Sequence, residues 1–152
     1  MRSGFTLVEI LMVIVLLAIL ATMGVSQFID LSKDAKINVT NTKLNAIKVA
    51  IIGDGRFVSA GKSVKQGYEI HCQAVPDDLN DLSVMPGSGI CASEYEPFSK
   101  QGWRGPYVNS TEATWNRDAW GVALQYSGPG RTITSCGPNG TCGDSDDITL
   151  SF

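Results

Sequence analysis

The side chains best placed for chemistry lie near the C-terminus, in the run Ser135-Cys136-Gly137-Pro138-Asn139-Gly140-Thr141-Cys142-Gly143-Asp144-Ser145-Asp146-Asp147-Ile148. Three carboxylates, Asp144, Asp146 and Asp147, crowd together behind a glycine-rich loop whose carbonyls can turn inward. A hard cation such as Ca²⁺ takes about six to eight oxygens from carboxylates, amides and backbone carbonyls. Asn139, the three aspartates and the Ser135 hydroxyl are the candidate donors. Their order is not that of an EF-hand, and a solvated acidic turn built on Asx-turns explains the same residues. Read from spacing alone, both alternatives stand.

The other reactive groups are few. Cys72, Cys91, Cys136 and Cys142 fit an oxidising compartment. Four cysteines allow three connectivities; the local one, Cys72–Cys91 with Cys136–Cys142, is the expected pairing. Neither pair has the tight C-x₂₋₄-C spacing of common structural zinc sites. His71 is the only histidine, expected to be exposed or packed near the Cys72 bridge. There is no Ser-His-Asp set, no phosphate loop and no paired catalytic carboxylates outside the acidic run, so no enzyme is expected. With 15 acidic against 12 basic side chains, the charge balance makes no case for nucleic-acid binding.

The elements that carry these residues begin with an apolar run. From Ile10 to Val25 no charge occurs, and one carboxylate, Glu9, stands at its head. Phe5 to Val25 reaches the roughly 20 residues that cross a bilayer core as a helix. A cleaved secretory signal fits less well, because the run exceeds the usual apolar region and its charged leader is very short. Glu9 is costly beside a membrane, about 2.5–3.5 kcal/mol on insertion scales, and needs a reason.

Helical periodicity continues beyond the run. Ile37, Leu44, Ile47 and Ile51 make an apolar stripe, with Lys33, Asp34, Lys36, Asn38, Asn41, Lys43, Asn45 and Lys48 on the opposite face. Gly53-Asp54-Gly55 should end the helix. Gly24 and Ser26 predict local bending or melting within it. Residues 55–101 are broken by glycine and proline, with a short helix expected from Asp77 to Leu82. Asp118 to Tyr126 alternates as a half-buried strand, Ser127-Gly128-Pro129-Gly130 is a turn, and Arg131 to Ser135 is the returning strand. The fold class is α+β: a long N-terminal helix on a small antiparallel sheet. The aromatics of this region are read as core.

Two phrases resemble a known family. Gly4-Phe5-Thr6-Leu7-Val8-Glu9 before an apolar helix resembles the class III signal of type IV pilins and pseudopilins. Gly102-Trp103-Arg104-Gly105-Pro106-Tyr107, followed by Asp118-Ala119-Trp120-Gly121 and Tyr126, is similar to the major pseudopilin of type II secretion systems. The motifs cover residues 1–52 and 102–148, and the middle third departs from the family pattern. The resemblance implies a leader at 1–4, a transmembrane and polymerisation helix at 5–29, and a periplasmic or cell-surface head at 30–152. The head divides into an amphipathic half-helix (30–54), a cysteine-bridged region (55–101) and a sheet with the acidic loop (102–152).

The resemblance also implies roles. Prepilin peptidase cuts after Gly4 and methylates Phe5. The new amine of one subunit then neutralises Glu9 of another inside an apolar bundle, where charges must be paired. The subunit sits in the bacterial inner membrane, in contact with lipid, before it polymerises with copies of itself. Minor pseudopilins and an inner-membrane assembly platform are its other partners, and the filament helps export folded proteins. A type IV or competence pilus subunit is the alternative within the class, and a membrane-anchored binding or enzymatic domain the alternative outside it. For the acidic loop the resemblance implies calcium on Asn139, Asp146 and Asp147, with Asn139 where the family has an aspartate.

Overall fold

The computed structural model describes residues 5–59 and 62–152, and their side chains except at 22–28 and 57–65. Helix α1 runs from Leu7 to Ile52. Thr6 caps its start, its hydroxyl accepting from the Glu9 amide at 3.3 Å and its carbonyl from the amides of Glu9 and Ile10. This is the Thr-x-x-Glu arrangement that satisfies orphan donors at a helix N-terminus. The helix stops where glycine permits it. Gly53 takes φ +87° and its amide reaches the Val49 carbonyl at 2.8 Å, a left-handed cap that glycine adopts without the strain a Cβ would add. α1 continues through Gly24 and Ser26, so the melting expected there does not occur: one glycine costs only about 1 kcal/mol, spread over a long hydrogen-bonded run.

The chain divides into two units, residues 1–36 and 37–152. In the first, Phe5, Leu7, Leu11, Ile14 and Leu17 are all more than half exposed. Among the described residues no helix is long and apolar enough to cross a membrane. The described side chains of the apolar run end at Ala21, and the part of the expected span from Thr22 to Phe28 lies outside them.

In the second unit α1 supplies one wall of the core through Leu44, Ile47, Ala50 and Ile51. Lys43 and Lys48, expected on the solvent face, bend back instead. Their ammonium groups donate to the carbonyls of Thr114 and Arg117 and to that of Ser151, at 2.9–3.1 Å. Long stems let a charged head reach carbonyls that a helix face alone would not meet.

A hairpin, β1 (Asp54–Ser59) and β2 (Lys62–Lys65), follows α1 directly; glycine-rich and short, it carries little periodic signal. Helix α2 (Tyr68–Cys72) ends at the Cys72–Cys91 disulfide. The helix expected near Asp77 is a 3₁₀ turn, Leu79–Leu82, capped by Asp78 and Asp81 reciprocally. The main sheet has order β3 (Gln125–Ser127), β4 (Thr132–Ser135), β5 (Ile148–Ser151), antiparallel throughout, with Ile133 opposite Tyr126 and Leu150. The long strand expected from Asp118 is a correction: only its last residues are strand. Asp118 Oδ1 accepts from the amides of Trp120 and Val122, both at 2.9 Å, and turns 118–122 into a loop. Leu79, Leu82, Leu124 and Ile133 complete the core with Tyr68 and the Cys72–Cys91 bridge.

Candidate functional site

Two places carry the predicted function. At the N-terminus, Gly4 lies outside the described residues. Phe5 is 80% exposed, and Glu9 occupies the third helical position, over the positive end of the α1 dipole.

The acidic loop links β4 to β5. Gly137, at φ +64°, reverses the chain where any Cβ would run into the Asp146 carbonyl. Cys136 and Cys142 are disulfide-bonded, Cα atoms 4.4 Å apart, so the loop is tied across its neck. Inside it Asn139 Nδ2 donates to Asp144 Oδ2 at 2.7 Å and to Asp146 Oδ1 at 2.9 Å, while its Oδ1 accepts from the Thr141 amide at 2.6 Å. Asp147 Oδ2 accepts from the Gly143 amide at 2.7 Å, and its Oδ1 is buried with no hydrogen-bond partner. Asn139, Asp144 and Asp146 are thus one cluster, with Asp147 beside it in sequence. Ser135 is not part of it. Its buried hydroxyl donates to Asp118 Oδ2 at 2.7 Å and accepts from the Gly137 amide, which fixes the root of the loop.

The electrostatics single out the same carboxylates. The Asp146 amide donates to Asp144 Oδ1 at 3.2 Å, and the two carboxylates share the Asn139 amide group; the nearness of Asp146, helped by Asn139, holds Asp144 below the usual carboxylate range, and the nearness of Asp144 pushes Asp146 above it. Among the described residues no three His, Cys, Asp or Glu side chains converge on one point. The donor set therefore suits calcium only with the Asn139 amide and backbone carbonyls included, which is how oxygen-rich loops hold that ion. The crowded carboxylates and the orphaned Asp147 oxygen both fit a hard cation.

His71 is packed beside the Cys72–Cys91 bridge, 3% exposed. Its Nδ1 meets the Tyr107 hydroxyl at 3.0 Å and its Nε2 meets Gln66 Oε1 at 3.1 Å. Burial lowers its pKa, and Arg104 lowers it further. The Gly102–Tyr107 phrase clamps this region. Trp103 Nε1 donates to the Asp81 carbonyl, the Tyr107 amide to Leu82 and the Gly102 amide to His71. Sequence reading missed Asp118 as the hub between turn and sheet; an aspartate opening a glycine-containing turn was the available signal. It also missed the Glu69–Arg131 ion pair, bidentate at 2.8–2.9 Å, whose partners lie 62 residues apart.

A capped N-terminal helix continuing into a small head of antiparallel strands defines a pilin-like subunit. Residues 1–25 match the prokaryotic N-terminal methylation motif, and residues 62–151 match the family model of type II secretion system protein G. The second match crosses most of the middle stretch that the motif phrases left uncovered. Type II secretion system core protein G of Pseudomonas aeruginosa is 28% identical over 95% of this chain and 89% of its own length. That of Klebsiella pneumoniae is 27% identical over 97% and 92%, and that of Xanthomonas campestris pv. campestris 26% over 85% and 71%. A fimbrial protein of Pseudomonas aeruginosa is 26% identical over 58% of the chain and 55% of its own length. No solved structure matches the chain. The chain belongs to the type II secretion system protein G family, the major pseudopilins, and is a structural subunit of a pilus-like assembly.

Proposed function

We propose that this subunit is cut after Gly4, methylated at Phe5 and built from the inner membrane into a periplasmic filament that helps drive folded proteins outward. The observation that carries this is the N-terminal segment: a methylation motif, a helix start capped by Thr6 beside Glu9, and exposed apolar side chains from Phe5 to Leu20. Such a surface is stable only in lipid or against other copies of itself. Neutralisation of Glu9 by the Phe5 amine of a neighbour would set the register, since an unpaired charge between apolar helices is expensive. Prepilin peptidase, minor pseudopilins and the membrane platform are the partners this route needs. The head is a structural module and not a catalyst.

Calcium belongs to the same proposal. Asn139, Asp144, Asp146 and Asp147 would hold it, and it would relieve the carboxylate crowding and order the link between β4 and β5. The fimbrial relative supports a second reading, a type IV pilus subunit. Imaging cells that express the protein, with mass spectrometry of the mature terminus, decides the matter. N-methylated Phe5 and short periplasmic filaments beside an outer-membrane secretin are expected. An unprocessed terminus without filaments overturns the proposal, and retractile surface fibres favour the second reading.

A further inference from the structure

The most exposed large apolar side chain of the described molecule is Phe98, at 95%. It does not wave on a loose loop. The Lys100 amide donates to the Glu96 carbonyl and the Glu96 amide to Gln101, both at 2.8 Å. The Ser99 amide donates to Glu96 Oε2 at 2.6 Å, and Lys100 sits at φ +58°. Pro97 stiffens the same turn. At its base the segment is pinned by Trp103 to Ser93 and Tyr95 to Trp103. An aromatic ring held rigidly in water has its ordering cost met in advance, as hot-spot anchors do.

A cleft carrying the opposite charges lies on the same head. Met85, Glu94, Tyr95, Trp103, Arg104 and Gly105 line an open cleft of about 400 Å³, apolar along Met85, Tyr95 and Trp103. The Arg104 guanidinium lies 4.9 Å over the Tyr95 ring, giving the cleft a cationic wall that favours a further aromatic. Glu96 and Lys100 flank Phe98 in the sequence, and the cleft carries Arg104 and Glu94, the opposite charges.

We infer that Phe98 of one copy inserts into this cleft on the next copy, Glu96 facing Arg104 and Lys100 facing Glu94. Tip and cleft are different surfaces of that segment, and in this contact each subunit gives its tip to one neighbour and receives the tip of another. Such head-to-tail contacts repeat without closing, which a filament requires. The inference rests on the self-assembly proposed above.

The test is photo-cross-linking of the full chain in cells with p-benzoylphenylalanine in place of Phe98. A ladder of multimers is expected, with adducts mapping to Met85 or to residues 102–105. Arg104→Glu should remove the ladder. Lys100→Glu should also remove it, and Lys100→Glu with Glu94→Lys should restore it. Filaments imaged without a ladder, or with adducts only to lipid or other proteins, overturn the contact and leave self-assembly standing. No filaments from the unaltered chain overturn both. Glu94, Phe98, Lys100 and Arg104 are exposed, so these changes leave the fold intact, which an unchanged melting temperature verifies.

Discussion

Ser135 Oγ donates to Asp118 Oδ2 at 2.7 Å, and both residues are buried, 0% and 3% exposed. The bond joins the last residue of β4, where the acidic loop departs, to the turn that replaces the expected strand. The Thr40 hydroxyl on α1 accepts from the Ala119 amide at 3.2 Å, so helix, turn and sheet meet at one point. A polar hub of this kind stays favourable only while every member is paired.

Asp118→Ala strips three donors of their acceptor, the amides of Trp120 and Val122 and the Ser135 hydroxyl. Each buried donor left alone costs roughly 1–3 kcal/mol, so a loss of about 3 kcal/mol is expected. Urea unfolding of the detergent-solubilised chain measures it. Asp118→Asn, which keeps one oxygen, should lose less, and equal losses would refute the hub.

Acid should weaken the head in two windows. The His71 pKa is lowered by burial, so the unfolded chain binds more protons, and stability falls as pH drops below the ordinary imidazole value of 6.5. The Glu69 pKa is lowered by its hydrogen bond to Arg131; that contribution is present above the ordinary value of 4.5 and lost as pH falls through the folded one. Melting temperatures across pH 3–8 should show both declines. His71→Gln removes only the upper one; an unchanged profile in that variant excludes His71 as its source.

Millimolar calcium should raise the melting temperature of the oxidised chain, and chelator should reverse the effect. Asp147→Ala removes the orphaned oxygen and should abolish the response. Asn139→Asp restores a charge and should tighten binding by about tenfold. A chain indifferent to calcium in all three forms would mean that the loop is held by its disulfide and the Asn139 amide alone.

Glu9→Ala should leave the chain folded, since Thr6 still caps α1 through the backbone amide of residue 9. Processing after Gly4 should continue while filaments disappear. Abundant normal filaments from this variant would show that the carboxylate sets no register.

Much of the architecture was legible because local rules decide it. The apolar run with Glu9, the stripe through Leu44, Ile47 and Ile51, and the stop at Gly53 depend on periodicity and on a glycine that can adopt positive φ. Cys72–Cys91 and Cys136–Cys142 are near in sequence, and their pairing follows the shortest loops. Family membership was legible for the same reason: its phrases are contiguous.

What only the tertiary structure decided are relations between distant residues. Alternation from Asp118 to Tyr126 reads as a strand until the Asp118 carboxylate captures two amides of its own segment. Ser135 looks like a loop ligand until its hydroxyl is seen bonded to Asp118, and Lys43 and Lys48 look solvent-facing until carbonyls more than 70 residues away meet them. Spacing along the chain settles which local hydrogen bonds are available. Folding settles which of them is chosen, because a buried polar group takes the partner that packing brings to it.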